Sequence, residues 1–132
     1  NNKLKKFETN NHMYSLQILN FSDDRSYLYQ AKFFVLFAKR IFGNNSLLES
    51  MSSGAIPIVS KVSDSGNLVT NNLNGYIVEN DKNKISSLLE KIHILDQSHW
   101  SNLSNNCIKK ITSEYNTNNW NSNADKLFNK CV

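Results

Sequence analysis

Phe42-Gly43-Asn44-Asn45-Ser46-Leu47-Leu48-Glu49-Ser50-Met51-Ser52-Ser53-Gly54-Ala55-Ile56-Pro57-Ile58-Val59 reads as a glycine-containing loop, a helix and a strand in succession. Leu47, Leu48 and Met51 are spaced i, i+1 and i+4, which predicts a helix from about Asn45 to Ser53 with one apolar face. Gly54 follows where a helix commonly closes on a left-handed residue. Ile56-Pro57-Ile58-Val59 is apolar throughout and reads as a buried strand, with Pro57 near its start, where a missing donor is tolerated.

Upstream, Phe33-Phe34-Val35-Leu36-Phe37 is a continuous apolar run of the kind found in strands buried on both faces of a parallel sheet. The loop Ala38 to Asn44 joins it to the helix. A short helix is expected from Arg25 to Ala31, capped by Asp23 or Asp24, and a short strand from Tyr14 to Leu19. Residues Asn1 to Asn11 are polar and read as a frayed tail or the end of a helix. Downstream, Ser63 to Gly66 is a turn, Asn67 to Asn71 a short helix, and Asn72 to Gly75 a turn before the small strand Tyr76-Ile77-Val78. Asp81 caps a helix whose apolar face is Ile85, Leu88, Leu89, Ile92 and Leu95. Two more helices are expected, over about Ser98 to Ser113 and Asn118 to Cys131. The alternation of strand and helix predicts an α/β fold: one Rossmann-like domain over residues 1–132, with a parallel sheet, flanking helices and a helical C-terminus.

In such a sheet, ligands bind beyond the carboxyl ends of the strands. The loop Ala38 to Asn44 leaves one such end, and the helix after it offers unpaired N–H groups and the positive end of its dipole. Gly43 lets backbone approach a ligand closely. Together they form a candidate anion site, most simply for phosphate, to which Asn44, Asn45 and Ser46 add side-chain donors. Glu49, one turn on, is a carboxylate able to accept two hydroxyl hydrogen bonds from a ribose. The same residues also fit a plain helix start, with Asn45 or Ser46 as cap and Glu49 a surface charge.

The stretch Phe42 to Ser60 resembles the "FG…LEAM..G.PVI.S" segment of the family-4 retaining glycosyltransferases, which lies in the C-terminal half of their GT-B fold. Tyr27 to Leu36 resembles the family's "LY..AD.FVLPS" stretch, and Asn67-Leu68-Val69 with Asn74 to Val78 resembles its "E.V…NG.LV" stretch. The similarity runs over roughly residues 15–130. It implies transfer of a sugar from a nucleotide diphosphate to an acceptor hydroxyl with retained configuration, in polysaccharide or glycoconjugate synthesis. The implied donor is a UDP-, GDP- or ADP-sugar, with no metal or other cofactor. Phe42, Gly43, Asn44, Asn45 and Ser46 would meet the donor's phosphates and sugar, and Glu49, as the second Glu of an E-x7-E motif, its ribose. A sugar or lipid-linked acceptor would be held by an N-terminal domain absent from this sequence. The chain is therefore expected to be incomplete at its N-terminus and inactive in transfer by itself.

The sequence departs from that pattern. Ile41 stands where the first Glu of E-x7-E belongs, so no catalytic residue is assigned, and Asn67 replaces the Glu of "E.V". Lys39 and Arg40 offer cations beside Ile41. A degenerate, catalytically inactive binding domain is one alternative. An unrelated Rossmann-like module is another, although no G-x-G-x-x-G fingerprint of a dinucleotide binder occurs.

The 132 residues suffice for one domain, and the net charge of +4 comes from scattered lysines rather than a nucleic-acid tract. No apolar run is long enough to span a bilayer, and no leader follows the polar start, so a cytoplasmic protein is expected, with peripheral association at the inner membrane face left open. Cys107 and Cys131 lack metal-site spacing and read as reduced, partly buried thiols. His12, His93 and His99 read as surface or helix-face residues, Asp23 and Asp24 as a turn, and Trp100 and Trp120 as packing anchors.

Overall fold

The structure is a computed structural model that describes residues 3–9, 12–18, 26–41 and 44–119. The expected helix over 118–131, with Trp120 and Cys131, lies beyond these residues, as do Asp23 and Asp24. The order of elements is β1 (Lys3–Thr9), β2 (His12–Ile18), α1 (Ser26–Gln30), β3 (Phe33–Leu36), α2 (Asn45–Ser52), β4 (Ile56–Ser60), β5 (Tyr76–Val78), α3 (Lys82–His93) and α4 (Gln97–Glu114). A 3-10 turn, Ser65–Asn67, lies between β4 and β5.

Strands β3, β4 and β5 form a parallel sheet in that order, with Phe33 beside Ile56 and Ile58 beside Tyr76. Helices flank the sheet, and the C-terminal part is helical. This is the Rossmann-like α/β fold expected from the alternation of elements. Strand period two divides the sheet's side chains between two cores. Phe34, Leu36, Val59 and Ile77 pack with Ile41, Leu47 and Met51 on one side. Phe33, Ile56, Ile58, Tyr76 and Val78 pack with Ile92, Leu103 and Trp100 on the other. Helix α4 serves both, through Leu103 in one core and Cys107 and Ile111 in the other.

Three expectations are corrected. The polar start is neither tail nor helix: β1 pairs antiparallel with β2, from Lys3 opposite Ile18 to Thr9 opposite His12, in a separate two-stranded sheet. The Asn67–Asn71 helix is replaced by the 3-10 turn, because Asn74 claims the local backbone: its Oδ1 accepts from the Thr70 N–H (2.6 Å) and its Nδ2 donates to the Leu68 carbonyl (3.1 Å). Finally, β3 is not buried on both faces. It is an edge strand among the described residues, and Val35 is 53% exposed and Phe37 40% exposed.

Pro57 sits in the central strand without leaving a gap in its ladder. The preceding Ile56 N–H points to β3, donating to the Lys32 carbonyl (3.0 Å), so the Pro57 nitrogen faces the β5 side before pairing with β5 begins at Ile58. Gly75 lies there: a Cβ on it would come within 2.6 Å of Pro57 Cγ and 2.7 Å of the Pro57 carbonyl oxygen. The strand junction is therefore built from one residue that needs no donor and one that has no side chain.

Candidate functional site

Between β3 and α2 the chain crosses the carboxyl end of the sheet, and two polar side chains from the β4 side hold that crossing. Ser60 Oγ, at the end of β4, accepts from the Ala38 N–H (3.0 Å) and donates to the Ala38 carbonyl (2.7 Å). Asp64 Oδ2 accepts from the Ile41 N–H (3.0 Å). Asn44 N–H donates to the Ile41 carbonyl (3.3 Å). Phe42 and Gly43 themselves lie outside the described residues.

Helix α2 starts as the sequence implies, but one residue earlier than its expected cap. The cap is Asn44, not Asn45 or Ser46: its Oδ1 accepts from the Leu47 N–H (2.9 Å). Asn44 in β conformation can reach that donor, whereas Asn45 and Ser46 are already helical and exposed. The Asn44 side-chain oxygen is thus committed within the protein. Leu47 and Met51 point into the core, and Gly54, at φ +87°, closes the helix. Glu49 is half-buried on this helix.

A cleft of about 510 Å³ opens beside this loop, lined by Arg40, Ser63, Asp64 and Asn67. It draws on two loops, after β3 and after β4, that are more than twenty residues apart in sequence. Arg40 is exposed and enters none of the ion pairs among the described residues. Its guanidinium is therefore available to an anion, in a planar geometry suited to bidentate contact with phosphate or carboxylate. Asn45, Ser46 and Glu49 are not among the cleft's lining. Of the two residues read as departures from the family pattern, the fold puts Asn67 in this cleft with Arg40 and sends the Ile41 side chain elsewhere.

Ile41 is wholly buried, packed with Leu47, Met51, Val59, Leu68, Val69 and Cys107. The position reads in sequence as a lost site residue; in the fold it is core. In sequence, Ser63 and Asp64 read only as turn residues. The legible signal is an Asp in the turn that follows a strand's carboxyl end, four residues past Ser60.

A second cleft of about 410 Å³, lined by Lys61, Asn71, Ile77, Val78, Glu79 and Lys84, lies at the end of β5. Both of its lysines are already paired with one carboxylate, since Glu79 pairs with Lys61 (3.6 Å) and with Lys84. The Lys84 hydrogen bond and charge hold the Glu79 carboxyl below its ordinary range. Among the described residues no three His, Cys, Asp or Glu side chains come together as metal ligands, and no helix is long and apolar enough to cross a membrane. His93 and His99 are exposed on helices, as expected of them, and Trp100 packs against the second core. Cys107 is buried and free, its Sγ hydrogen-bonded to the Asn74 carbonyl (2.9 Å), and burial pushes its thiol up to about 12.

No protein-family profile and no curated protein sequence matches this chain. Among solved structures it is similar to the C-terminal domain of a glycosyl transferase group 1 family protein (LpcC) from Francisella tularensis. The TM-score is 0.60 at 19% identity over 75% of this chain. The chain spans 53% of the length of that structure. The likeness is one of fold, and it agrees with the GT-B C-terminal architecture expected from the sequence.

Proposed function

We propose that this chain is the donor-binding part of a group 1-type glycosyltransferase, taking a nucleotide diphosphate-sugar at the carboxyl ends of β3 and β4. The observation that carries this reading is the cleft between the loops after β3 and β4, in which Arg40, outside every ion pair among the described residues, stands with Ser63, Asp64 and Asn67. A diphosphate there would meet the Arg40 guanidinium, and in this reading it extends toward the N–H groups at the start of α2, outside the cleft's own lining. Those are the groups needed to stabilise a leaving diphosphate without a metal ion. Phe42 and Gly43 belong to the same loop, and Asn45, Ser46 and Glu49 to the adjoining helix start, where Glu49 would accept hydroxyls of the donor ribose. Retention of configuration, an acceptor hydroxyl on a sugar or lipid-linked glycan, and a cytoplasmic site at or near the membrane's inner face go with the family resemblance. Because the acceptor is held by another domain in this reading, the chain alone binds donor and does not transfer.

The test is a titration of the chain with UDP, GDP and ADP, followed by amide chemical shifts. Arg40, Asn45, Ser46 and Glu49 should move with at least one of the three. A spectrum indifferent to all of them would refute a donor site.

One observation favours a second reading, binding without transfer. No carboxylate stands at position 41, and the buried Ile41 gives that place to the core. A domain that recognises nucleotide but not sugar would bind a nucleotide sugar no more tightly than its nucleoside diphosphate. A gain of about tenfold from the sugar, some 1.4 kcal/mol, supports the transferase reading instead.

A further inference from the structure

We infer that Asp64 is a positioning residue for the donor loop: its carboxylate ties the Ile41 N–H across two loops and so fixes where Arg40 stands in the cleft. The inference rests on the donor-binding reading above but has its own structural readout. The described part of the loop, residues 38–41 and Asn44, has a fixed point at each end, the double hydrogen bond of Ser60 to Ala38 and the Asn44 cap of α2. Between them lie Lys39 and Arg40, both exposed. The Asp64 contact to Ile41 ties this stretch to the loop after β4 (3.0 Å, partly buried).

The bond joins residues 23 apart in sequence, and its acceptor lines the same cleft as the cation it steadies. On the far side of that peptide, the Ile41 side chain is locked in the core. Arg40 is thus one residue from a position held at both backbone and side chain, which limits where its guanidinium can go. A carboxylate accepting a backbone N–H is a strong, directional tether, and a preorganised cation binds an anion better than a mobile one. In this role Asp64 acts through its acceptor oxygen on Ile41, and its charge strengthens that bond rather than contacting the ligand.

That distinction sets the experiment. Asp64→Ala removes the acceptor, whereas Asp64→Asn keeps an oxygen and discards the charge. Hydrogen exchange at the Ile41 amide and binding of UDP, GDP and ADP are measured for both variants and the parent. Asp64→Ala should exchange Ile41 about tenfold faster and bind the preferred nucleotide several-fold more weakly, while Asp64→Asn, which keeps an acceptor oxygen, should lie between Asp64→Ala and the parent in both. Equal Ile41 exchange in Asp64→Ala and the parent would overturn the tether. Faster exchange with unchanged affinity would overturn the positioning role. Equal weakening by Asn and Ala would make Asp64 a charge contact instead. Should the parent bind none of the three nucleotides, the donor reading fails, and the tether stands or falls on the exchange rates and their rescue by Asn. If Asp64→Ala does not fold, the Asp64→Asn and Asp64→Ser pair carries the same comparison.

Discussion

At the scale of single residues, position 41 separates what a motif says from what a fold needs. Aligned by motif, Ile41 is a missing carboxylate. In the structure its side chain is wholly buried among Leu47, Met51, Val59 and Cys107, and only its N–H reaches the site, through Asp64. An ionised carboxylate in that core would have no partner to offset its desolvation. Ile41→Glu should therefore lower stability by about 3 kcal/mol or more, read from the urea unfolding midpoint. Ile41→Val should cost only about 1 kcal/mol. A glutamate variant as stable as the parent would mean that position 41 opens to solvent, and the motif reading would regain its force. Nothing in the one-dimensional pattern distinguishes the two outcomes, because an isoleucine beside Arg40 fits a loop and a core equally well. Asp64 was hidden for a similar reason: its partner is 23 residues away, and local sequence reads it as turn chemistry.

At the scale of elements, the segment from Asn44 to Ser60 was legible because its signals are local. A cap, an i, i+1, i+4 apolar face, a left-handed glycine and an apolar strand follow one another without interruption. The structure moved the cap by one residue, to Asn44. Asn44→Ala should cost about 1 kcal/mol and Asn44→Asp little, measured by chemical denaturation. If Asn44→Ala is neutral and Asn45→Ala is not, the cap lies where the sequence first put it. Strand β3 was legible in extent but not in burial. Its apolar run is that of an interior strand, yet Val35 and Phe37 are exposed, since burial depends on which elements lie beside a strand and not on the strand's own residues. Strand β1 was missed outright: Lys3-Leu4-Lys5-Lys6-Phe7-Glu8-Thr9 has little apolar content, and its pairing with β2 is what makes it a strand.

At the scale of the whole molecule, the two cores meet through α4, and Cys107 and Tyr76 tie global stability to alkaline pH. Burial raises both groups above their ordinary values, the Cys107 thiol from near 9 to about 12. A raised acid holds its proton in the folded state while the unfolded chain loses it, so the contribution is complete below about pH 9 and is lost as pH rises toward about 12. Thermal unfolding between pH 8 and 11 should show a falling midpoint, and Cys107→Ala or Cys107→Ser should flatten part of that decline. An unchanged slope in the variants would remove Cys107 as its source. What the sequence determined by itself was the run β3, α2, β4, β5, α3 and α4, the parallel α/β class and the helix start next to Gly43 in sequence, because apolar period, caps and turn residues act over a few positions. What only the tertiary structure decided was which residues share a cleft, which apolar residue is core and which strand is an edge. Those depend on contacts between distant parts of the chain: Arg40 beside Asn67, Ile41 held by Asp64, and β3 with β4 on one side.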